Sequence, residues 1–319
     1  MLIAGLTKAS LSDSIKSKAL ELGFYGCGIS EAVFLEDDAR HMEQWLEEGC
    51  HGEMTYLEKN RGKRYHPALL LEEARSVISV LYDYYPEITL PSEDNYVISK
   101  YAYGNDYHFV MKNKLNELLA FVEEQTGERK ARAFVDSAPM LDRAWAHKSR
   151  LGFIGKNTCL INKKGGSFFF IGHLLLDLEL QYEGEIDPKN YCGSCTRCID
   201  ACPTGAIEPF KVDARKCISY LTIEYRGELD ESLKDRFGDR IYGCDTCQDV
   251  CPWNRFSSPH QEPEFNPSPL LTGLRKEDWN KLKKPLFNQL FKHSAVQRAG
   301  YKGLRRNIEF LANKANFEL

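Results

Sequence analysis

Eight of the chain's eleven cysteines lie between Cys192 and Pro252, and their spacing restricts what this chain can fold around more than any other feature. The stretch opens Cys192-Gly-Ser-Cys195-Thr-Arg-Cys198-Ile-Asp-Ala-Cys202-Pro203, a C-x2-C-x2-C-x3-C-P run, and closes Cys244-Asp-Thr-Cys247-Gln-Asp-Val-Cys251-Pro252. This is the cysteine pattern of a bacterial-ferredoxin-like domain with two [4Fe–4S] clusters. In such runs three thiolates hold one cube, and the fourth, set apart by three residues and turned by proline, reaches the other. The halves therefore cross. Cys192, Cys195 and Cys198 take Cys251 as fourth ligand, and Cys244 and Cys247 take Cys202. The second half lacks its leading cysteine, so Cys217, the unassigned thiol nearby, is expected to complete the second set.

Zinc and disulfides are the structural alternatives. Zinc pairs two C-x2-C knuckles into one tetrahedron, which leaves a third cysteine and a following Cys-Pro without a role. Disulfide frameworks belong to small secreted chains. This chain has 319 residues, and its start, Met1-Leu-Ile-Ala-Gly-Leu-Thr-Lys8, has too short an apolar segment for a secretory signal. The C-x3-C-x2-C string of radical-SAM sites and the C-x2-C-H string of haem attachment are both missing.

With 43% hydrophobic and 28% charged residues, the composition is that of a soluble globular protein. The odd cysteine count leaves Cys27, Cys50 and Cys159 over as buried or free thiols. That points to a reducing compartment, and a cytoplasmic location is expected. The most apolar run, Phe168 to Leu178, contains His173 and Asp177 and is too short to span a bilayer, so no membrane role is expected. Net charge is −4, but from Arg275 onward eleven lysines and arginines face four acids, a local excess of about +7. A polyanion partner and a solvated helical face both explain that excess.

Along the chain, helical periodicity covers residues 10–23, with Ser10 or Ser12 as cap and Gly23 as stop. A strand follows over 24–29. Its Gly26-x-Gly28 lacks the third glycine of a dinucleotide loop. A helix over 39–48 leads to Arg61, Lys63 and Arg64, which face either a phosphate or solvent. Strands are expected over 76–82, 131–135 and 167–175, with a long helix over 110–125. The segment Ile98 to His108 is rich in aromatic residues and interrupted by glycine. Such a stretch suits either core packing or the grip on a flat cofactor or base. Asp106-Tyr-His108 begins a D-x-H-x-x-G string that supplies histidine to cobalt in some corrinoid enzymes, but Met111 replaces its glycine, so His108 is not expected to bind metal. The strand over 131–135 delivers Asp136-Ser-Ala-Pro139, where Asp136 is either a site carboxylate or a helix cap. Gly155-Lys-Asn157 fails the Walker pattern. The alternation indicates an α/β (α+β) domain over residues 1–180, the two-cluster domain over 181–260, and a basic helical tail over 261–319 whose helix pair looks repeat-like.

Together with the cysteine pattern, four strings resemble the epoxyqueuosine reductase family over essentially the whole length. They are Val135-Asp-Ser-Ala-Pro139, Gly152-Phe-Ile-Gly-Lys-Asn-Thr158, Tyr101-Ala-Tyr-Gly-Asn-Asp-Tyr-His108 and Gly303-Leu-Arg-Arg-Asn307. The resemblance implies that residues 1–180 are a cobalamin-binding catalytic domain related to reductive dehalogenases, and that the tail is HEAT-repeat-like. It further implies reduction of epoxyqueuosine to queuosine at the wobble position of tRNA, with an external low-potential electron donor feeding both clusters and, through them, cobalt. Asp136 then matches the family's proton donor, and burial against the corrin is expected to raise its pKa. Corrin contacts are expected at Lys59, Ser99, Lys100, Tyr101, Asp136, Asn157, Thr158, Leu160 and Ile171, with no protein axial ligand. Phosphate contacts are expected from Arg298, Lys302, Arg305 and Arg306. Two rivals share parts of this picture. A cobalamin-dependent reductive dehalogenase shares the clusters and the corrin, and an iron–sulfur electron-transfer protein without an active site shares the clusters alone.

Overall fold

The computed structural model describes residues 7–91 and 93–312. Helix α1 (Lys8–Glu21) opens on a capping box in which the Thr7 hydroxyl accepts from the Ser10 amide at 3.1 Å and the Ser10 side chain returns the bond to Thr7. The cap thus falls ahead of the expected Ser10 or Ser12. Strand β1 (Gly26–Glu31), helix α2 (Glu36–Glu47) and strand β2 (Ser76–Asp83) follow. Helix α3 (Tyr107–Thr126) starts three residues before its expected position because Asp106 caps it, accepting from the His108 amide. Strand β3 (Ala131–Phe134), helix α4 (Asp142–Lys148) and strand β4 (Phe169–Leu176) complete the first part of the chain.

The four strands form one sheet in the order β1-β2-β4-β3, and every neighbouring pair is antiparallel. Of the expected α/β (α+β) domain, the all-antiparallel sheet is the α+β form. Periodicity reports element type and not strand direction, and antiparallel neighbours accept connections of any length.

Both faces of the sheet are covered. Leu11 and Ile15 of α1 and Leu115 and Leu118 of α3 pack with Ile78, Val80 and Leu174, while Trp145 of α4 packs with Val77 and Leu175 on the other face. This explains why β2 is buried at every position from Ser76 to Tyr82, since a strand covered on one side would alternate. Each such buried aliphatic side chain contributes about 1.5–3 kcal/mol. The end of α4 comes so close to β1 that a Cβ on Gly28 would lie 2.0 Å from the Ser149 carbonyl oxygen. Beside that contact, the Ser149 hydroxyl donates to Ser79 Oγ at 3.0 Å, and Ser79 meets His173 Nδ1, also at 3.0 Å.

In the cysteine-rich part, two short helices, Arg197–Asp200 and Thr246–Asp249, pack on each other. Between them lie helix α5 (Ile218–Ile223) and strand β5 (Arg240–Tyr242), and β5 pairs in parallel with Val97–Ile98 of the first part. The tail carries α6 (Lys284–Phe291) and α7 (Gly300–Ala312). Leu304, Ile308 and Leu311 of α7 belong to the same hydrophobic core as Leu11 and Ile78, so one core runs through all three parts.

Gly28→Ala forces the α4 terminus away from β1. It is expected to cost about 1–3 kcal/mol, read as a lower urea midpoint with an unchanged m-value.

Candidate active site

The fold gathers the eight cysteines into two sets. Cys192, Cys195, Cys198 and Cys251 line one cavity of about 210 Å³, together with Tyr191 and Trp253. Cys251 therefore stands with the first three thiols despite its distance in sequence. Cys217 lies within electrostatic reach of Cys202 and Cys244, as does Cys247 of Cys217 and Cys244. The thiols do not converge on one point, and among the described residues no group of three His, Cys, Asp or Glu is placed to hold a single metal ion. Backbone amides aim at the sulfurs: Lys156 N–H at Cys192 Sγ, 3.4 Å, and Ala206 N–H at Cys202 Sγ, 3.3 Å. Such donors stabilise anionic sulfur and tune cluster potential. A fifth thiol, Cys159, lies beside Cys247.

Asp136 stands just past the end of β3 in a left-handed backbone conformation, φ 50°. It caps no helix. Helix α4 begins only at Asp142, and its N-cap, Leu141, makes no side-chain cap bond. The carboxyl instead accepts the Tyr107 hydroxyl, and Tyr107 is held by a parallel stack on Phe170, centroids 4.0 Å apart, with His108 on its other side at 4.2 Å. His108 Nε2 lies 3.8 Å from Asp136, while its Nδ1 meets Asp106 at 2.7 Å. The Asp136 side chain is 63% exposed, yet protein surrounds it closely on its other sides. That crowding raises its pKa above the usual carboxylate value and the Asp142 charge adds to the rise, while the Tyr107 bond and His108 oppose it. For His108, burial lowers the pKa, but the Asp106 bond and charge outweigh it and the net shift is upward.

The other expected cofactor contacts are unevenly placed. Tyr101 lies among these rings, its hydroxyl on Tyr242 at 3.1 Å. Ile171 is half-buried on β4 and Leu160 is buried beside it. Lys59 is exposed. Ser99 and Lys100 face the cluster segment instead: the Ser99 hydroxyl and the Lys100 amide both donate to the Asp245 carboxylate, and Lys100 Nζ reaches Asp249 at 2.6 Å. The amides of Thr158 and Cys159 are taken up within their own loop by the Gly155 carbonyl and the Asn157 side chain. Asn157 is buried and donates to the Cys247 carbonyl at 3.3 Å.

The basic tail is also largely committed. Arg298 grips Glu224 with two 2.8 Å bonds, and Arg305 bonds Glu309. Arg306 donates to the carbonyls of Leu221, Tyr225 and Gly227. Lys302 is exposed. Of the earlier cations, Arg61 pairs with Glu43 and Arg64 is buried on the Tyr56 carbonyl. Sequence reasoning missed Tyr107 and Tyr56 and set His108 aside. Tyr56 is 44% exposed and lies under the Arg298 guanidinium, and both act electrostatically on the Asp136 side of the molecule. The signal for Tyr107 and His108 was the Asp106 cap, which puts both residues in the first turn of a helix whose start faces the end of β3.

Paired thiol sets, amides directed at their sulfurs and an adjoining open carboxyl define an iron–sulfur oxidoreductase. Comparison agrees. Residues 191–254 match a 4Fe-4S double cluster binding domain, and residues 64–137 match the model described as Epoxyqueuosine reductase QueG, DUF1730. An epoxyqueuosine reductase from Cellulophaga algicola is 53% identical over 306 residues, covering 96% of this chain and 99% of the relative. The one from Escherichia coli K12 is 38% identical over 314 residues, covering 97% and 82%. The crystal structure of an epoxyqueuosine reductase with a tRNA-Tyr epoxyqueuosine-modified tRNA stem loop superposes with TM-score 0.86 at 28% identity, covering 96% of this chain and 81% of that one. A reductive dehalogenase structure, 17% identical with TM-score 0.50, shares the fold over 39% of its own length. The chain belongs to the epoxyqueuosine reductase family.

Cys217→Ala removes one thiolate from the second set only. It is expected to cut bound iron and sulfide to roughly half in an anaerobically reconstituted sample, since each cube needs its own four sulfurs; undiminished iron would take Cys217 out of the ligand set.

Proposed function

We propose that this chain reduces epoxyqueuosine to queuosine at the wobble position of tRNA, using cobalamin supplied with electrons through two [4Fe–4S] clusters. The observation that carries the reading is the Asp136 carboxyl, exposed on one side and crowded by protein on the others, within a chain of this family. The first cluster takes Cys192, Cys195, Cys198 and Cys251; the second takes Cys202, Cys217, Cys244 and Cys247. No helix among the described residues is long and apolar enough to cross a membrane.

The residues around Asp136 suit a large flat ligand with an apolar face. Ile171 and Tyr101 offer apolar surface that the protein itself leaves partly uncovered, and Asp136 keeps most of its carboxyl open. Lys59, Ser99, Lys100, Asn157, Thr158 and Leu160 complete the proposed cobalamin-binding set. Ser99, Lys100 and Asn157 act within it by bonding to the cluster segment. Cobalamin, when bound, would supply a low-valent metal able to reduce an epoxide carbon.

The chain's own part is proton management and substrate grip. Removal of an epoxide oxygen as water needs a proton delivered to that oxygen. Asp136 supplies it, and its raised pKa keeps it protonated closer to neutrality. The Asp106–His108 pair stands ready to return the proton. Tyr56 presents an exposed ring on which a splayed base can stack, with Lys302, whose charge no group of the chain takes up among the described residues, on the phosphates. We also read α6 and α7 as the opening unit of a repeat-like array.

The test is anaerobic reconstitution with iron, sulfide and cobalamin, followed by reaction with tRNA bearing epoxyqueuosine and nucleoside mass spectrometry. Loss of one oxygen, dependent on cobalamin and reductant, is expected; retention of both cofactors with an unchanged nucleoside sinks the reading. Asp136→Asn should keep the cofactors and lose turnover. Tyr107→Phe gives the sign of the pH effect. The Tyr107 bond lowers the Asp136 pKa, so its loss raises that pKa and moves the alkaline limb of the kcat/KM profile to higher pH. An unmoved limb would separate Asp136 protonation from the rate.

A further inference from the structure

The two thiol sets differ in what surrounds them. The Cys202/Cys217/Cys244/Cys247 set faces inward: Asp245, between two of its members, is bonded to Ser99 and Lys100, and the Cys247 carbonyl is bonded to Asn157. The Cys192/Cys195/Cys198/Cys251 set faces outward. Gly193, Ser194 and Thr196, which loop between its cysteines, are exposed, and a Cβ added at Gly193 would meet nothing within 4 Å. The outward set is therefore the side of the cluster segment that an outside electron donor can approach.

The rim of the outward cavity is basic. Arg197 and Arg255 both line it and both are exposed. The Arg197 side chain makes no hydrogen bond or ion pair among the described residues, and Arg255 rests on the exposed Phe256 ring, 4.5 Å from its centroid. Lys156 is beside them, its Nζ on the carbonyls of Gly193 and Cys195. The acids nearby are already engaged: Asp200 accepts the Thr196 hydroxyl at 2.7 Å, and Asp249 is paired with Lys100. The net face is positive with an aromatic residue at its edge. Fixed like charge of this kind steers an oppositely charged protein and speeds its arrival.

We propose that this rim is the docking surface for a small acidic electron-carrier protein. The inference rests on the cluster reading above and adds the entry point and the charge of the donor. Each turnover joins one epoxide, two electrons and two protons to give an alkene and water, so two molecules of a one-electron carrier are oxidised per product. RNA is the other polyanion that a basic rim could attract. The carrier is favoured because the cations surround the outward thiol set and the structure shows none of them in contact with Asp136, Tyr107 or His108.

The experiment follows bleaching of cluster absorbance by stopped flow in the reconstituted full chain. One reductant is photoreduced flavodoxin, an acidic one-electron carrier, and the other is photoreduced deazariboflavin, a small uncharged one. Arg197→Glu/Arg255→Glu is expected to slow reduction by flavodoxin about tenfold or more and to flatten its salt dependence, with the deazariboflavin rate and the iron content unchanged. Arg197→Gln/Arg255→Gln should fall between. A flavodoxin rate equal to that of the unaltered chain overturns the proposal. So does an effect confined to tRNA binding, which would assign the rim to RNA. The two readings fail separately: charge-sensitive cluster reduction without epoxide loss sinks the proposed function alone, and full turnover with charge-insensitive reduction sinks the docking surface alone.

Discussion

The Asp245 carboxylate ties the two working parts of this molecule together. It lies between Cys244 and Cys247, its side chain is 9% exposed, and it accepts the Ser99 hydroxyl and the Lys100 amide with Lys100 Nζ at 3.6 Å. Two residues before it, Gly243 packs so tightly on Ser99 that a Cβ would sit 2.5 Å from the serine Cβ. A buried charge is tolerable only while its partners are in place, and removing one partner costs about 3–5 kcal/mol. The contact fixes the inward thiols relative to the segment that runs through Tyr101 into Tyr107. The separation between the inward thiols and the Tyr101–Tyr107 segment is thus set by packed side chains and not by a linker.

The tail serves the same geometry from the other side. Helix α5 starts directly after Cys217, and its last carbonyls have no partner within the helix. Arg306 and Asn307 of α7 supply those partners: Arg306 on Leu221 O at 2.7 Å, and Asn307 on Thr222 O at 2.9 Å and on Ile241 O at 2.8 Å. Gly303-Leu-Arg-Arg-Asn307 is therefore a clamp on the cluster segment. The local excess of positive charge counted in the tail overstates what is free, because Arg298, Arg305 and Arg306 are satisfied by the chain itself.

What could be read before folding divides along physical lines. The double-cluster pattern was legible in the cysteine spacing, because the constraint is local, and Cys251 does stand beside the first three thiols around one cavity. The elements were legible within a few residues, since burial of one or both faces writes its own periodicity. Strand direction was not, because the same helices and strands serve parallel and antiparallel sheets. Asp136 stood out at a strand end, but whether it capped α4 or faced a cavity depended on five residues of loop. The partners of Ser99, Lys100 and Arg306 were invisible for a related reason: a serine, lysine or arginine looks the same in sequence whether it meets solvent, a cofactor or a buried carbonyl.

The conformation of Asp136 unites these constraints. A non-glycine residue at positive φ is strained, though aspartate bears the left-handed region better than most residues. Had the backbone continued as a strand, the carboxyl would have followed the alternation of β3 onto a sheet face already filled by helices. The left-handed step turns it out of the sheet toward Tyr107 instead. Tyr107 is fixed by its stack on Phe170, and Phe170 belongs to β4, the neighbour of β3. The position of the carboxyl is thus referred back to the sheet twice, once through its own strand and once through the ring that bonds it. Crowding and the Asp142 charge push its proton affinity up while the Tyr107 bond pulls it down, so the carboxyl is held in place by the sheet while its neighbours act on its charge in opposite directions, with the net shift upward.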